Sequence, residues 1–268
     1  MNKYKISILL LISTILFSCE KVETNVDTSV LPVVEAYLAP GKIISVKVTK
    51  TIENTSGKIN TAEPVEGLSV KVSTNETTYL LHYNGNGAYI SDSTEVVKQG
   101  LTYKLEFTYN NKTVTATTEM PTNPTNFAIS ATSVKAFTFS FSSGSMPTIP
   151  DPIKVKWKNN DGKYYLVVVK NIEANPSLIN TDENAPNLPA FRSTPDNASS
   201  EYDITPMSYK YYGQHYVILY KLNYEYAQLY NDNGTSSQNI TSPYTNVNNG
   251  LGIFTGVAAD TLMLKVVK

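Results

Sequence analysis

Residues 100–121 read GLTYKLEFTYNNKTVTATTEMP, and this stretch decides the fold class. In both halves apolar or aromatic side chains alternate with polar ones, which is the period of a half-buried strand. Asn110 and Asn111 lie between the halves and mark a turn. The stretch therefore predicts two antiparallel strands joined as a hairpin.

Short runs of the same kind precede this hairpin, and Gly, Pro and Asn separate them. About seven short strands at this spacing are typical of an antiparallel β-sandwich. We expect this first domain to span residues 30–121, with Pro121 and Pro124 in a linker. The predicted strands before the hairpin are residues 31–38, 42–50, 67–74, 77–83 and 88–91.

The second half of the chain predicts another β domain over residues 125–268. Residues 223–231 have an aromatic pattern at helical spacing, and Asn223 is placed to cap one short helix. Residues 173–200 contain four prolines and no clear period, which predicts a long loop that is either functional or mobile. The predicted strands are residues 135–143, 154–158, 163–171 and 209–222, with a final strand at the C-terminus. The fold class is therefore all-β, with two sandwich domains.

Charge and composition exclude one class of partner. The formal net charge is −1, and charged residues make up only 17% of the chain. A protein that binds nucleic acid normally presents a basic field, and this chain has none. We expect no nucleic-acid partner.

The N-terminus has the pattern of an exported protein. Lys3 and Lys5 precede an apolar stretch over residues 6–17, which indicates a signal peptide over residues 1–18. The stretch is shorter than the roughly 20 residues that cross a bilayer as a helix. Residues 16–19, Leu-Phe-Ser-Cys, resemble a bacterial lipobox, which implies cleavage before Cys19 and lipid attachment to that cysteine. Residues 19–29 would then be the lipidated cysteine and its tether.

Cys19 is the only cysteine, so the exported chain has no intrachain disulfide and folds on core burial alone. Glu20 and Glu23 follow Cys19 closely. This acidic cluster resembles the export signals of surface lipoproteins in Bacteroidetes-type bacteria. The expected location is the outer membrane, with the cell surface favoured over the periplasmic face.

No motif in the sequence indicates catalysis, a metal site or a cofactor. GLGIFTG, residues 250–256, lacks the spacing of a nucleotide-binding loop, and its glycines fit a bulge where Ile253 and Phe254 enter the core. His82 and His215 both lie in strand-like settings, and no serine-hydrolase elbow or EF-hand register is present. We therefore expect a protein without enzyme activity.

Tyrosine is the remaining functional indication, with 19 in the chain. Tyrosine offers a flat apolar face with a polar tip, which suits sugar rings and protein interfaces. We predict a ligand-binding surface that contains Tyr209, Tyr211, Tyr212 and Tyr216. The alternative is that these tyrosines fill the core and cover strand edges, as their β propensity alone predicts. In a regular strand Tyr209 and Tyr211 share a face that Tyr212 opposes.

The order of residues 64–72 (PVEGLSVKV), 85–91 (GNGAYIS) and 97–107 (VKQGLTYKLEF) resembles the transthyretin-like type of sandwich, and an immunoglobulin-like sandwich is the alternative. This resemblance implies that Gly87 lies in a hairpin and that Tyr89 points into the core.

Nearly all of the chain after Cys19 resembles the Bacteroidetes-type outer-membrane lipoproteins classed as domain of unknown function 4249. The residues that carry this resemblance are the lipobox, LPVVEAYL (31–38), GNGAYIS, KYYLVVV (163–169), YEYAQLYN (224–231) and above all YTNVNNGLGIFTG (244–256). The resemblance implies a lipoprotein associated with outer-membrane transporters of the TonB-dependent kind, in a family with no established catalytic residues.

These observations lead to two main functional hypotheses, beside which a hydrolytic enzyme is kept as a third and minor one. The first is a non-enzymatic accessory lipoprotein that captures or presents a glycan or other nutrient, or docks on a TonB-dependent transporter. The alternative is a surface adhesion or structural interaction protein.

Overall fold

A computed structural model describes residues 30–51, 62–138, 149–180, 191–231 and 244–268. The predicted signal peptide, Cys19 and the tether lie outside these residues. Part of the predicted loop over residues 173–200 also lies outside them, as does most of the predicted strand over residues 135–143.

Eight strands form in the described part of the chain before Pro121. They are β1 (Pro32–Leu38), β2 (Ser45–Lys50), β3 (Lys71–Ser73), β4 (Thr78–Leu80), β5 (His82–Tyr83), β6 (Ala88–Ile90), β7 (Thr102–Tyr109) and β8 (Lys112–Glu119). β7 and β8 are the predicted hairpin. Asn110 and Asn111 both have a left-handed backbone, with φ values of 46° and 60°, which is what the twist of a two-residue hairpin turn requires.

The remaining described residues add eight strands and one α-helix. The strands are β9 (Thr125–Ile129), β10 (Ser133–Lys135), β11 (Ile153–Lys158), β12 (Tyr164–Asn171), β13 (Glu201–Ile204), β14 (Gly213–Leu222), β15 (Val247–Asn248) and β16 (Leu251–Val267). The helix, α1, is Tyr224–Asn231, and a 3₁₀ turn covers Pro206–Ser208. None of the helices in the described residues is both long and apolar enough to cross a membrane.

The strands form three sheets, which confirms the all-β class. The largest has the order β12-β14-β16-β1-β2-β6-β5, with β10 beside the end of β16. The others have the orders β15-β8-β7-β3-β4 and β13-β11-β9. Most pairs are antiparallel, as predicted for a sandwich, but β16 pairs in parallel with both β1 and β10.

Strand β16 joins two hydrophobic cores, because its residues contribute to both. Phe254 and Ala258 are fully buried in the first core, whereas Leu264 and Val266 are buried in the second. The expected entry of Ile253 and Phe254 into the core is confirmed, since they are 4% and 0% exposed.

The first core draws its other residues from the part before Pro121, apart from Val247. Tyr89 is fully buried there, as predicted, and its hydroxyl donates to the carbonyl of Val65 at 2.8 Å. The division into domains over residues 30–121 and 125–268 stays a prediction.

Helix α1 begins at the predicted place. The carbonyl of Asn223 accepts from the amide of Ala227 at 3.2 Å, which is the first helical hydrogen bond. The Asn223 side chain, however, bonds β8: its amide nitrogen donates to Thr118 Oγ1 at 3.0 Å and to the carbonyl of Glu119 at 2.6 Å. It therefore fixes the helix to the first core, where the sequence predicted only a cap.

The predicted strand over residues 209–222 is shorter than expected, since β14 begins at Gly213. Gly213 has a φ of +96°, and a Cβ at this position would lie 2.4 Å from Glu173 Oε1. The left-handed backbone interrupts the extended chain. The tyrosines before Gly213 therefore lie in an irregular segment.

Candidate functional site

A cavity of about 180 Å³ lies where β12 ends and β14 begins. We call it the Tyr209 cavity. Two of the four tyrosines predicted to bind a ligand line it, together with residues from three other parts of the chain. The lining residues are Val169, Asn171, Phe191, Ser208, Tyr209, Lys210, Tyr211 and His215.

Asn171 and His215 form the polar floor of the cavity and are cross-strand partners in the β12–β14 ladder. His215 Nδ1 lies 3.0 Å from the carbonyl of Gly213, which can only accept, so Nδ1 carries the proton. The Asn171 amide then donates to His215 Nε2 at 3.2 Å and to the carbonyl of Tyr212 at 3.2 Å. Both ring nitrogens are therefore occupied by hydrogen bonds.

Burial keeps this histidine neutral. His215 is 2% exposed, and desolvation lowers the pKa of its ring, although the Gly213 carbonyl and the Glu173 charge oppose the shift. Because the folded state binds a proton less readily than the unfolded state, stability falls as the pH drops below about 6.5, the unperturbed histidine pKa.

We therefore expect His215→Gln to flatten the pH dependence of stability between about pH 6.5 and pH 5, because the variant has no ring to protonate. Urea denaturation at several pH values measures this slope. His82→Gln is the matched control for the loss of a histidine, because the His82 side chain is 67% exposed. Parallel pH curves for His215→Gln and wild type would contradict the role of His215.

The segment that carries the tyrosines is held by backbone hydrogen bonds to the residues after β12. The amide of Ile179 donates to the carbonyl of Lys210 at 3.1 Å, and the amide of Tyr212 donates to the carbonyl of Ser177 at 2.9 Å. At the start of the segment, the hydroxyls of Thr205 and Ser208 lie 3.1 Å apart across the 3₁₀ turn. These contacts fix the cavity wall although the segment is not a regular strand.

Tyr209 is buried, with 2% of its surface exposed, so its ring is not an open platform as the binding-surface hypothesis expected. It packs edge-on against His215 with the ring centres 5.9 Å apart. Its hydroxyl is buried and has no hydrogen-bond partner among the described residues. Burial also raises the pKa of Tyr209, so the hydroxyl remains a donor.

The other three predicted tyrosines lie in different settings. Tyr211 is partly exposed and lines the cavity, with Lys210 Nζ 5.8 Å from its ring centre. Tyr212 packs against the second core and lies under Lys268. Tyr216 is 38% exposed and is the cross-strand partner of Met263, which is 45% exposed. The structure therefore brings Tyr209 and Tyr211 together, and it places Tyr212 and Tyr216 outside the cavity.

Asn171, Phe191, Ser208 and His215 line the cavity but were not predicted to do so. Asn171 and His215 are 44 residues apart in sequence, and only strand pairing brings them together. Phe191 lies in the long loop, and that loop was the one sequence feature that pointed to this part of the cavity.

A second group of aromatic side chains surrounds α1. Tyr37, Tyr226 and Tyr230 form a row with ring centres 5.8 Å apart at each step. Arg192 lies over the ring of Tyr230 at 4.8 Å, which is the geometry of a cation–π contact. Tyr37 is 46% exposed, and Tyr224, whose ring contacts Tyr164 and Tyr244, is 55% exposed.

No group of three or more His, Cys, Asp or Glu side chains that could hold a metal ion occurs within the described ranges. The expected absence of metals, cofactors and catalytic residues stays a prediction.

The comparison with protein families confirms one part of the predicted resemblance. The family described as domain of unknown function (DUF4249) matches residues 20–262. No curated protein matches the sequence. Because the family match covers most of the chain and includes every described strand as far as Leu262 in β16, the protein belongs to the DUF4249 family.

Proposed function

We propose that this protein is a non-enzymatic, lipid-anchored outer-membrane protein that acts as an accessory or ligand-binding partner of a TonB-dependent nutrient transporter. The observation that carries the binding role is the Tyr209 cavity. Concave sites lined by aromatic side chains with a few placed polar groups are the usual form of a small-ligand site.

The contacts inside the cavity favour binding over catalysis. A general base needs a free lone pair within reach of substrate. In His215 one ring nitrogen donates to Gly213 and the other accepts from Asn171. The histidine and the asparagine thus hold each other in place and stiffen the wall.

The lipid anchor is supported by the sequence pattern around Cys19. The positively charged start and the short apolar stretch precede this cysteine, which is the last residue of the lipobox. The family match begins at residue 20, directly after it. Several acyl chains at about 0.8 kcal/mol for each buried CH₂ group hold a protein far more firmly than one chain does.

We expect the native protein to enter the detergent phase in Triton X-114 and to have a larger mass than the processed polypeptide. Cys19→Ser should remove both properties, because the hydroxyl of serine does not replace the thiol that is acylated. Intact mass spectrometry and phase separation measure the two. Native protein with the mass of bare polypeptide that remains in the aqueous phase would falsify the anchor.

Adhesion is the second candidate function, and the aromatic row beside α1 favours it. Tyrosine and arginine are the side chains most enriched at the energetic centres of protein interfaces. Tyr37 and Arg192 present this composition at one surface.

Cross-linking in intact cells, followed by purification of the anchored chain, separates the two candidates. Recovery of a TonB-dependent transporter identified by mass spectrometry supports the accessory role. Recovery of a matrix or host macromolecule without any transporter supports adhesion. Trypsin treatment of the same cells reports the side of the membrane, since a surface protein is degraded and a periplasmic one survives.

A further inference from the structure

We propose that the Tyr209 cavity binds a single uncharged sugar ring, either a free monosaccharide or the terminal residue of a glycan. This inference rests on the proposed ligand-binding function and names the ligand class of the same site.

The size of the cavity limits the ligand to about one ring. Sites for drug-sized ligands usually enclose about 300–1,000 Å³. The Tyr209 cavity encloses about 180 Å³. An extended oligosaccharide or peptide therefore does not fit inside the cavity as a whole, although the terminal residue of such a chain does.

The walls combine flat apolar surfaces with hydroxyl groups. Phe191 and Tyr211 contribute aromatic rings that are partly exposed, whereas Tyr209 and Val169 are almost fully buried. A sugar ring has apolar C–H faces and a polar rim, so it matches walls that are apolar in area and polar at their edges.

The hydrogen-bonding capacity left in the cavity lies in its hydroxyl groups. The side chains of Asn171 and His215 are already engaged with each other and with the backbone. Ser208 has one hydroxyl neighbour, Thr205 Oγ1, and a hydroxyl can make more than one hydrogen bond. The hydroxyl of Tyr209 has no partner among the described groups. The Tyr209 hydroxyl is buried from solvent, so the hydroxyl open to a ligand oxygen is that of Ser208.

Charge argues against an ionic ligand. Among the residues that the structure describes, no acidic side chain lines the cavity, and the one cation that does, Lys210, is engaged, with its ammonium over the ring of Tyr211. A purely apolar ligand would make no use of the Ser208 hydroxyl, which can form a further hydrogen bond. A hydroxylated, uncharged ring is the ligand class that meets both conditions.

Saturation-transfer NMR on the purified lipidated chain tests this inference. The chain is kept in micelles of a detergent without a sugar headgroup, so that the detergent does not compete. The probes are the methyl glycosides of glucose, galactose and mannose, each at 5 mM. N-acetyl-alanine amide and N-acetyl-leucine amide, which are uncharged and of similar size, are the comparison ligands.

We expect saturation transfer to at least one glycoside and a loss of at least fivefold in that signal in Tyr211→Ala. Tyr216→Ala is the matched control and should keep the full signal, because Tyr216 lies outside the cavity. If melting curves show that Tyr211→Ala is unfolded, Ser208→Ala replaces it, with an expected loss of about threefold.

Transfer to the acetylated amides alone, no transfer to any glycoside, or equal losses in the Tyr211 and Tyr216 variants would each overturn the sugar site. Recovery of a transporter in the cross-linking experiment does not depend on these outcomes. A failed sugar assay with a recovered transporter therefore rejects the ligand class and leaves the accessory function in place.

Discussion

Gly252→Ala is expected to lower the free energy of unfolding by about 3–5 kcal/mol, or to prevent folding. Gly252 has a φ of +98°, which alanine adopts only with strain, and a Cβ built there lies 2.0 Å from the carbonyl oxygen of Val34. Val34 and Gly252 are partners in the parallel β1–β16 ladder. Neither strand can move away without breaking the pairing between β1 and β16, the first and last described strands. Equilibrium denaturation in urea measures the loss.

Gly162→Ala is the control for the strain of the backbone alone. Gly162 also has a positive φ, +66°, but no atom lies within 4 Å of a Cβ built there. We expect a loss of about 1–2 kcal/mol, the cost of the left-handed conformation by itself. Equal losses for the two alanine variants would show that close packing of β1 on β16 contributes nothing.

Asp161→Asn is expected to destabilise the protein by about 2–3 kcal/mol, because it leaves the ammonium of Lys221 buried without its counter-charge. The Lys221 side chain is 7% exposed and forms an ion pair with Asp161. The Asp161 side chain is 35% exposed, and solvent screening places the expected loss below that of a fully buried pair. Thermal and urea denaturation at pH 7 measure this loss.

Lys221→Met is the matched variant and should cost less than Asp161→Asn. Methionine fills a similar volume without a charge to solvate, and the remaining Asp161 is partly hydrated. Its carboxylate also keeps the Lys163 amide at 3.3 Å and the Tyr165 hydroxyl at 3.5 Å. A larger loss for Lys221→Met than for Asp161→Asn would contradict the burial argument.

The ion pair between Asp161 and Lys221 also predicts that Asp161→Asn and the wild type respond differently in stability to acidic pH. Burial alone would raise the pKa of Asp161, but the Lys221 hydrogen bond, the Lys163 amide and the Lys221 charge together outweigh it and lower that pKa. A lowered carboxyl pKa contributes stability that is present above the unfolded value of about 3.9 and is lost as the pH falls through the folded value. Asp161→Asn should therefore lose less stability than wild type below about pH 4.

Elements governed by local pattern were predicted well. The β7–β8 hairpin, β11, β12 and α1 match the sequence prediction, because strand alternation, two adjacent turn residues and a short helical period act over fewer than about ten residues. The predicted strand over residues 209–222 was too long because Gly213 permits a left-handed backbone that alternation does not reveal.

The candidate site was predicted only in part. The concentration of tyrosines pointed to residues 209–216, and two of the four named tyrosines line the cavity. Which tyrosines face it depended on the irregular path from the 3₁₀ turn to Gly213. The partners of those tyrosines, above all Asn171 and His215, come from strand pairing across 44 residues.

The sequence by itself determined the all-β class, the short helix and membership of the DUF4249 family, because these follow from periodicity and from motifs read along the chain. Only the tertiary structure decided that β16 pairs with β1 and carries both cores, and that a cavity forms between β12 and the tyrosine segment. The physical reason is that alternation specifies which face of a strand is buried, whereas the choice of neighbour depends on packing between residues more than 200 positions apart.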